Sequence, residues 1–252
     1  MSLDAPHFNL THVEANGIRL QVATAGEGSP ILLLHGWPHT WFLWHKVMPE
    51  LARHHRVIAP DLRGIGGSTR AAEGYDLHTL SDDMAGLLAA LDARHAVAVG
   101  IDAGAPIAWM LAMRHGDHVR KLVVMESLIG ALPGAEAFLA KGPPWWFGFH
   151  AVPGLVETVL PGHEGPYLDW FFTSGTWRGR GIDQRARAAF VQAYTGADAS
   201  AAGSDITGPW ARTRRKWPRP SPGDGSSSPP CPSAATSSAT RRIANSHQSL
   251  TT

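Results

Sequence analysis

A single acid lies between two glycines at residues 100–104, which read Gly-Ile-Asp-Ala-Gly with Asp102 at the centre. A strand pattern precedes this segment and a helical pattern follows it, which predicts that the acid lies in a sharp strand-to-helix turn. Such a turn strains its central residue, and the glycines let neighbouring chains approach. An ionised carboxylate there, favoured by the helix N-terminus, can attack a saturated carbon and form an ester that water later cleaves. The alternative interpretation is that Asp102 merely caps the helix.

A second candidate segment, residues 35–38, reads His-Gly-Trp-Pro and directly follows an apolar run. In folds with such a turn, this loop supplies one backbone N–H of an oxyanion hole, and the residue after the nucleophile supplies the other. Trp37 and Ala103 are therefore the predicted donors. His35 is a candidate substrate contact, or else a buried histidine of an ordinary turn.

The elements that must position these residues alternate between strand and helix. Strand patterns fall at residues 10–25, 30–35, 56–60, 96–100 and 122–125. Helical spacing of apolar residues falls at residues 41–54, at residues 80–91 and up to Leu111. The first strand pattern is a hairpin, because Asn16-Gly17 is a strong turn signal. The alternation predicts an α/β fold with a doubly wound, mostly parallel sheet.

The amino-acid composition changes twice along the chain, which predicts three structural parts. Residues 1–132 are expected to form the α/β core, and residues 133–200, rich in Trp, Phe and Gly, a helical cap over the sheet. Residues 201–252 form a tail rich in Ser, Pro and Arg, which cannot bury enough apolar surface to offset its ordering entropy. The tail is expected to be disordered, and the last strands of the sheet are expected to be missing.

Composition excludes several classes of function. The net charge of +1 argues against nucleic acid as an obligatory partner. The single cysteine, Cys231, excludes an intramolecular disulfide and a cysteine-based metal cluster. The N-terminus shows no export signal, and no segment reaches the roughly 18 apolar residues of a membrane-spanning helix. We therefore expect a cytoplasmic protein with no membrane contact, no metal and no cofactor.

From residue 35 to Glu126 the sequence resembles the epoxide hydrolase and haloalkane dehalogenase branch of the α/β-hydrolases. The resemblance is carried by the loops at 35–38 and 61–68 and by a nucleophile turn with Asp in place of Ser. It covers about the first 200 residues, including the cap, and stops there. It implies a covalent ester on Asp102, and a cis peptide bond before Pro38.

Members of this branch also need a histidine that activates water and an acid that orients it. Glu126 lies where some dehalogenases carry the acid, although it could also be an acid at the end of a strand. No convincing histidine is found, since His247 is the only late candidate and has no supporting pattern. The chain is therefore expected to be impaired in turnover.

The departure of the tail from the family suggests a frameshift or a truncation. One permitted codon choice for residues 203–210, read one nucleotide out of step, spells Phe-Arg-Tyr-Tyr-Arg-Ala-Leu. That resembles the family's segment where the cap returns to the sheet. A catalytically dead binding protein or a defective gene product are the alternatives to an enzyme.

The choice between the two activities of the branch depends on the cap. Epoxide hydrolases hold the epoxide oxygen with two cap tyrosines, the first of which falls near Trp146. Haloalkane dehalogenases carry Asn and Trp where this chain has Trp37 and Ala103, and the fluoroacetate dehalogenase signature is also missing. Epoxide hydrolase is therefore the leading prediction, and haloalkane or haloacid dehalogenase the alternative. The candidate substrate-binding residues are Trp146, His150 and Tyr167, with His35.

The expected partners are a small apolar organic substrate and water. In the family, two strands after the cap cover the strand at 122–125. If they are missing, that strand is an exposed apolar edge, which predicts a homodimer or aggregation.

Overall fold

Six strands form one sheet in the computed structural model, which describes residues 8–127, 144–179 and 181–207. The strands are β1 Asn9–Ala15, β2 Ile18–Ala25, β3 Ser29–Leu34, β4 His55–Pro60, β5 Ala96–Ile101 and β6 Val119–Met125. Their order in the sheet is β1-β2-β4-β3-β5-β6. The strands β4, β3, β5 and β6 run parallel, and β2 is antiparallel to β1 and to β4. The predicted, mostly parallel sheet is confirmed.

The hairpin β1–β2 turns at Asn16 and Gly17, as predicted. Both residues have positive φ, 47° and 76°, which is the backbone shape that a two-residue hairpin with the sheet's own twist requires.

The helices divide between the core and the cap. The core helices are α1 Met48–Leu51, α2 Leu77–Ala90 and α3 Gly104–Arg114. The cap helices are α4 Trp145–His150, α5 Leu155–Val159, α6 Glu164–Ser174, α7 Gln184–Ala193 and α8 Ala197–Thr207. Three short 3-10 turns lie at Trp41–Trp44, Gly116–His118 and Trp177–Gly179.

The single helix predicted over residues 41–54 is wrong. The segment forms the 3-10 turn Trp41–Trp44 and then the four-residue helix α1. Pro49 explains the break, because its ring lacks an N–H and clashes with the carbonyl four residues earlier. A helix can therefore begin at this proline but cannot run through it.

Side chains alternate across the sheet and build a core on each face. Leu32 and Leu34 of β3 belong to the cluster that includes residues of α2 and α3. Ile31 and Leu33 belong to the opposite cluster, which includes Trp44 of the 3-10 turn. This two-sided burial of β3 is typical of a doubly wound sheet.

The predicted division into three parts is only partly covered by the described residues. The helix α8 runs across the expected boundary at residue 201 and continues to Thr207. Residues 128–143, where the cap was expected to begin, and the tail from 208 lie outside the described residues. Within the described ranges no helix has the length and apolar content to cross a membrane.

The strand β6 is an edge of the described sheet and is unusually apolar for one. Leu122, Val123 and Val124 are consecutive, and 36%, 41% and 45% of their surfaces are exposed. Because successive side chains point to opposite faces, both faces of this strand reach solvent.

Candidate active site

Asp102 lies between β5 and α3 with a φ of 51°, so the strained turn predicted for it is present. Both flanking glycines are needed for close approach. A Cβ on Gly100 would collide with the carbonyl of Gly104, and one on Gly104 would collide with the carbonyls of Leu34 and His35. The turn is thereby pressed against the end of β3.

Two backbone N–H groups hold the Asp102 carboxyl group. The Trp37 N–H donates to Oδ1 at 2.8 Å, and the Ala103 N–H donates to the same carboxyl group. The peptide bond between Trp37 and Pro38 is cis, as the family resemblance implies. The two predicted oxyanion donors therefore lie at Asp102, the predicted nucleophile, and they bind its carboxyl group.

Burial makes Asp102 a weaker acid than an ordinary aspartate. Desolvation raises its pKa from 3.8 to about 6, the nearby charge of Glu126 adds to the rise, and the two N–H groups oppose it. Desolvation therefore outweighs the two donors in setting this pKa. At neutral pH the carboxylate is still the major form.

Glu126 directly follows β6 and has a φ of 49°. Because parallel strands end at the same edge of a sheet, its position beyond β6 is next to Asp102 beyond β5. The influence of its charge on the Asp102 pKa is consistent with this proximity. The side chain is exposed, so the acid role expected for it stays a prediction.

His35 is buried and both of its ring nitrogens contact the protein backbone. Nδ1 donates to the carbonyl of Gly36 at 2.9 Å, and Nε2 accepts from the Leu62 N–H at 3.1 Å. Burial lowers its pKa to about 3, so the ring is neutral. These bonds join the loops after β3 and β4 and favour a positioning role over the predicted contact with substrate.

The cap covers Trp37 with aromatic rings. The Trp37 ring meets His150 at 4.9 Å, Phe171 at 4.7 Å and Tyr167 at 6.2 Å between centroids, all edge to face. Trp146 lies one ring further away, since it packs on Phe171 at 5.4 Å. His150 and Tyr167 thus lie against Trp37, whereas Trp146 is more distant from it, and the contact of all three with substrate stays a prediction.

His150 and Tyr167 form a polar pair in this apolar surrounding. Their Nε2 and Oη atoms are 2.8 Å apart, and both residues line a small cavity together with Trp37 and Tyr194. Burial lowers the pKa of His150 to about 4 and raises that of Tyr167. The two neutral groups therefore share one hydrogen bond, whose direction depends on the tautomer of the imidazole.

Sequence reasoning missed the buried Asp61, which fixes the glycine-rich loop. Its Oδ1 accepts from the Trp41 N–H at 2.8 Å, and its Oδ2 accepts from the Gly67 N–H at 3.0 Å and from Gln21 at 2.8 Å. Burial raises its pKa to about 6. Its place directly after a buried strand was a signal that could have identified it.

Known proteins share both the sequence pattern and the fold. Residues 29–169 match the family model described as alpha/beta hydrolase fold. The chain is 37% identical over 131 residues to a soluble epoxide hydrolase of Corynebacterium sp. strain C12, covering 51% of this chain and 46% of that protein. It is 43% identical over 162 residues to epoxide hydrolase A of Mycobacterium tuberculosis, covering 60% and 50%.

A solved structure, epoxide hydrolase CorEH without ligand, superposes with a TM-score of 0.70 at 30% identity. The match covers 80% of this chain and 74% of that one. The chain spans about half the length of the curated relatives it matches.

The acidity of Asp102 predicts how stability depends on pH. Its folded pKa of about 6 lies above the unfolded value of 3.8, so the folded state binds the proton more tightly. Its ionisation therefore lowers the free energy of unfolding as pH rises from about 4 to 6. Asp102→Asn should be more stable than the wild type by about 1–3 kcal/mol at pH 7, and no more stable below pH 4, in urea unfolding.

Asp183→Asn is the matched control. Asp183 is exposed, and Lys46, at 2.8 Å, lowers its pKa to about 2. Removing this charge should bring no gain at pH 7. Equal stability of Asp102→Asn and the wild type over the whole pH range would contradict a buried, destabilised carboxylate.

Proposed function

Because the chain belongs to the α/β-hydrolase fold family, we propose that it opens epoxides through a covalent ester on Asp102. The observation that carries this proposal is the 2.8 Å hydrogen bond from the Trp37 N–H to Asp102 Oδ1. It holds one carboxylate oxygen and assigns the other, Oδ2, to the attack. A nucleophile that is an acid suits attack on saturated carbon better than acyl transfer.

Both chemical steps use this arrangement. Oδ2 forms a bond to a ring carbon, the ring C–O bond breaks, and the ring oxygen leaves with the electron pair and takes a proton. Oδ1 is then the carbonyl oxygen of the ester. When water attacks the ester carbon, negative charge develops on Oδ1, where the Trp37 N–H already donates. The diol leaves with Oδ2, and the carboxylate regains an oxygen from water. Of the two protons of that water, one goes to the departing diol oxygen and one returns to the group that protonated the ring oxygen.

Tyr167 is the group that we assign to the departing ring oxygen. Its hydroxyl, paired with His150, is a polar group in a cavity that is otherwise lined largely by apolar side chains. Trp146, which stands near the family's first tyrosine position, can donate a hydrogen bond but is no proton source. When the Nε2–H of His150 donates to the Tyr167 oxygen, the hydroxyl proton of Tyr167 is left for the ring oxygen.

The second step should be slow in this chain. A general base works best when its pKa lies near the working pH. Burial lowers the pKa values of His35 and His39, in the loop after β3, to about 3 and 4. It lowers that of His150 in the cap to about 4. All three are weak bases, so Glu126 has no suitable histidine among them to orient.

An acid in the lining of the small cavity beside Trp37 favours a neutral substrate over an anionic one. Glu164 lines the cavity, and despite its burial the N–H groups around it, first that of Gly196 at 2.9 Å, hold its pKa below the usual value. An ionised carboxylate in the lining repels the carboxylate of a haloacid. This observation favours a neutral epoxide over the haloacid alternative.

The reaction predicts a trapped ester. Incubation of the full chain with an aryl epoxide should give an adduct of one epoxide mass on the peptide that contains Asp102, seen by mass spectrometry. The adduct should be absent in Asp102→Ala and should persist, because hydrolysis is slow. A chain that binds the epoxide but never forms the adduct would be a binding protein, and rapid multiple turnover would contradict the slow second step.

We further propose that the apolar edge of β6 pairs with β6 of a second copy. Within the described residues β6 pairs with β5 alone, so its other edge offers backbone groups to a further strand. An antiparallel two-fold pairing centred on Leu122 sets Arg120 opposite Val124 and Lys121 opposite Val123. No like charges then face each other directly, which makes this register self-complementary.

Charges placed at Val124 test the pairing. Val124→Glu should tighten the dimer and Val124→Lys should weaken it, each by about two- to thirtyfold in Kd, because two symmetric pairs with Arg120 change. Sedimentation equilibrium measures both, with Leu10→Lys on the β1 edge as a control that should leave Kd unchanged. A monomeric wild type, or a Kd that responds alike to both Val124 variants, would rule the pairing out.

A further inference from the structure

One cap residue, Tyr194, is hydrogen-bonded to the loop at residues 35–39, whose Trp37 N–H binds the Asp102 carboxylate. It directly follows α7 and is buried, and its hydroxyl donates to the carbonyl of His39 at 3.1 Å. Its ring also meets the ring of Trp37 edge to face, with centroids 6.4 Å apart. His39 is two residues after Trp37, whose N–H binds Asp102 Oδ1. The cap therefore contacts the backbone of the oxyanion loop immediately beside its donor.

The helix α8 closes on Tyr194 from another side. A Cβ on Gly203 would lie 2.9 Å from one Tyr194 ring atom, 3.0 Å from a second and 3.4 Å from Trp37 Nε1. Contacts below 3.0 Å are not tolerated by real side chains, so a residue larger than glycine would displace the tyrosine. The position of Tyr194 is thus fixed by α8 as well as by α7.

The tyrosine keeps its proton wherever the fold persists. Burial, together with the negative charges of Asp61 and Asp102, raises its pKa well above 10. Its hydroxyl therefore donates to the His39 carbonyl over the whole range in which Asp102 titrates. Glu126, from the end of β6, is the other titratable group that acts on Asp102.

We propose that Tyr194 is a positioning residue. Its hydroxyl, through the His39 carbonyl, fixes residues 36–39 so that the Trp37 N–H stays on Asp102 Oδ1. The consequence for catalysis rests on the proposed function, whereas the consequence for the acidity of Asp102 does not. Loss of the hydroxyl should loosen the loop, weaken a donor to the carboxylate and so raise the pKa of Asp102.

The direct test is the titration of Asp102 by ¹³C NMR in the full chain with labelled aspartate carboxyl carbons. Asp102→Asn identifies the signal. Tyr194→Phe keeps the ring and removes only the hydroxyl, and it should move the midpoint upward by about half to one pH unit, as expected when a hydrogen bond to a charged group is weakened.

Tyr75→Phe is the matched control. The Tyr75 hydroxyl also donates to a backbone carbonyl, that of Ala71, at 2.8 Å. Each variant loses the bond that its tyrosine hydroxyl donates to a backbone carbonyl, but only Tyr194→Phe should move the Asp102 midpoint. Equal midpoints in Tyr194→Phe, Tyr75→Phe and the wild type would overturn the proposal, because Tyr194 would then act on stability alone.

Gly203→Ala tests the same contact without touching the hydroxyl. The added methyl group should displace the Tyr194 ring and raise the Asp102 midpoint in the same direction. An unchanged midpoint in a folded Gly203→Ala protein would count against the proposal.

The rate of adduct formation tests the proposed reaction separately from the role of Tyr194. Its pH profile should shift upward with the NMR midpoint in Tyr194→Phe. If wild type forms no adduct, the proposed reaction fails, while the NMR titration still decides the role of Tyr194.

Discussion

The hydrogen bond from the Trp37 N–H to the Asp102 carboxylate joins the ends of two neighbouring parallel strands, β3 and β5. It can form because glycines occupy the positions where the two strand ends meet. A Cβ on Gly36 would collide with Asp102 itself, and a Cβ on Gly104 would collide with the carbonyl of Leu34. The glycines of the two loops therefore meet one steric requirement, which is room for the short contact between Trp37 and Asp102.

The same contact balances an electrostatic conflict. Burial removes water from Asp102 and raises its pKa to about 6, whereas the two N–H groups stabilise its charge. A nucleophile that is poorly hydrated but still ionised at neutral pH is more reactive than one held by many donors. Asp61 shows the same competition two strands away, at the end of β4, with its charge used to hold backbone N–H groups instead.

Features set by local pattern could be predicted from the sequence. The turn at Asp102, the hairpin at Asn16 and the pair of donors follow from glycine spacing and strand periodicity. The break before Pro49 also follows from the sequence, because a proline inside a helix outweighs apolar residues at helical spacing. The tertiary roles were not readable: His35 uses both ring nitrogens on backbone, and Tyr194 bonds to His39, 155 residues away. Likewise the pKa of Asp102 depends on its burial in the folded chain.

The path of oxygen in a single turnover tests the central claim, that Asp102 attacks carbon while Trp37 holds its other oxygen. With protein in excess over an aryl epoxide in H₂¹⁸O, and with time for the ester to hydrolyse, attack by Asp102 gives an unlabelled diol. The Asp102 peptide should then carry the ¹⁸O, because water attacks the ester carbon and not the substrate. A diol that contains ¹⁸O beside an unlabelled Asp102 peptide would show direct attack by water and contradict the account.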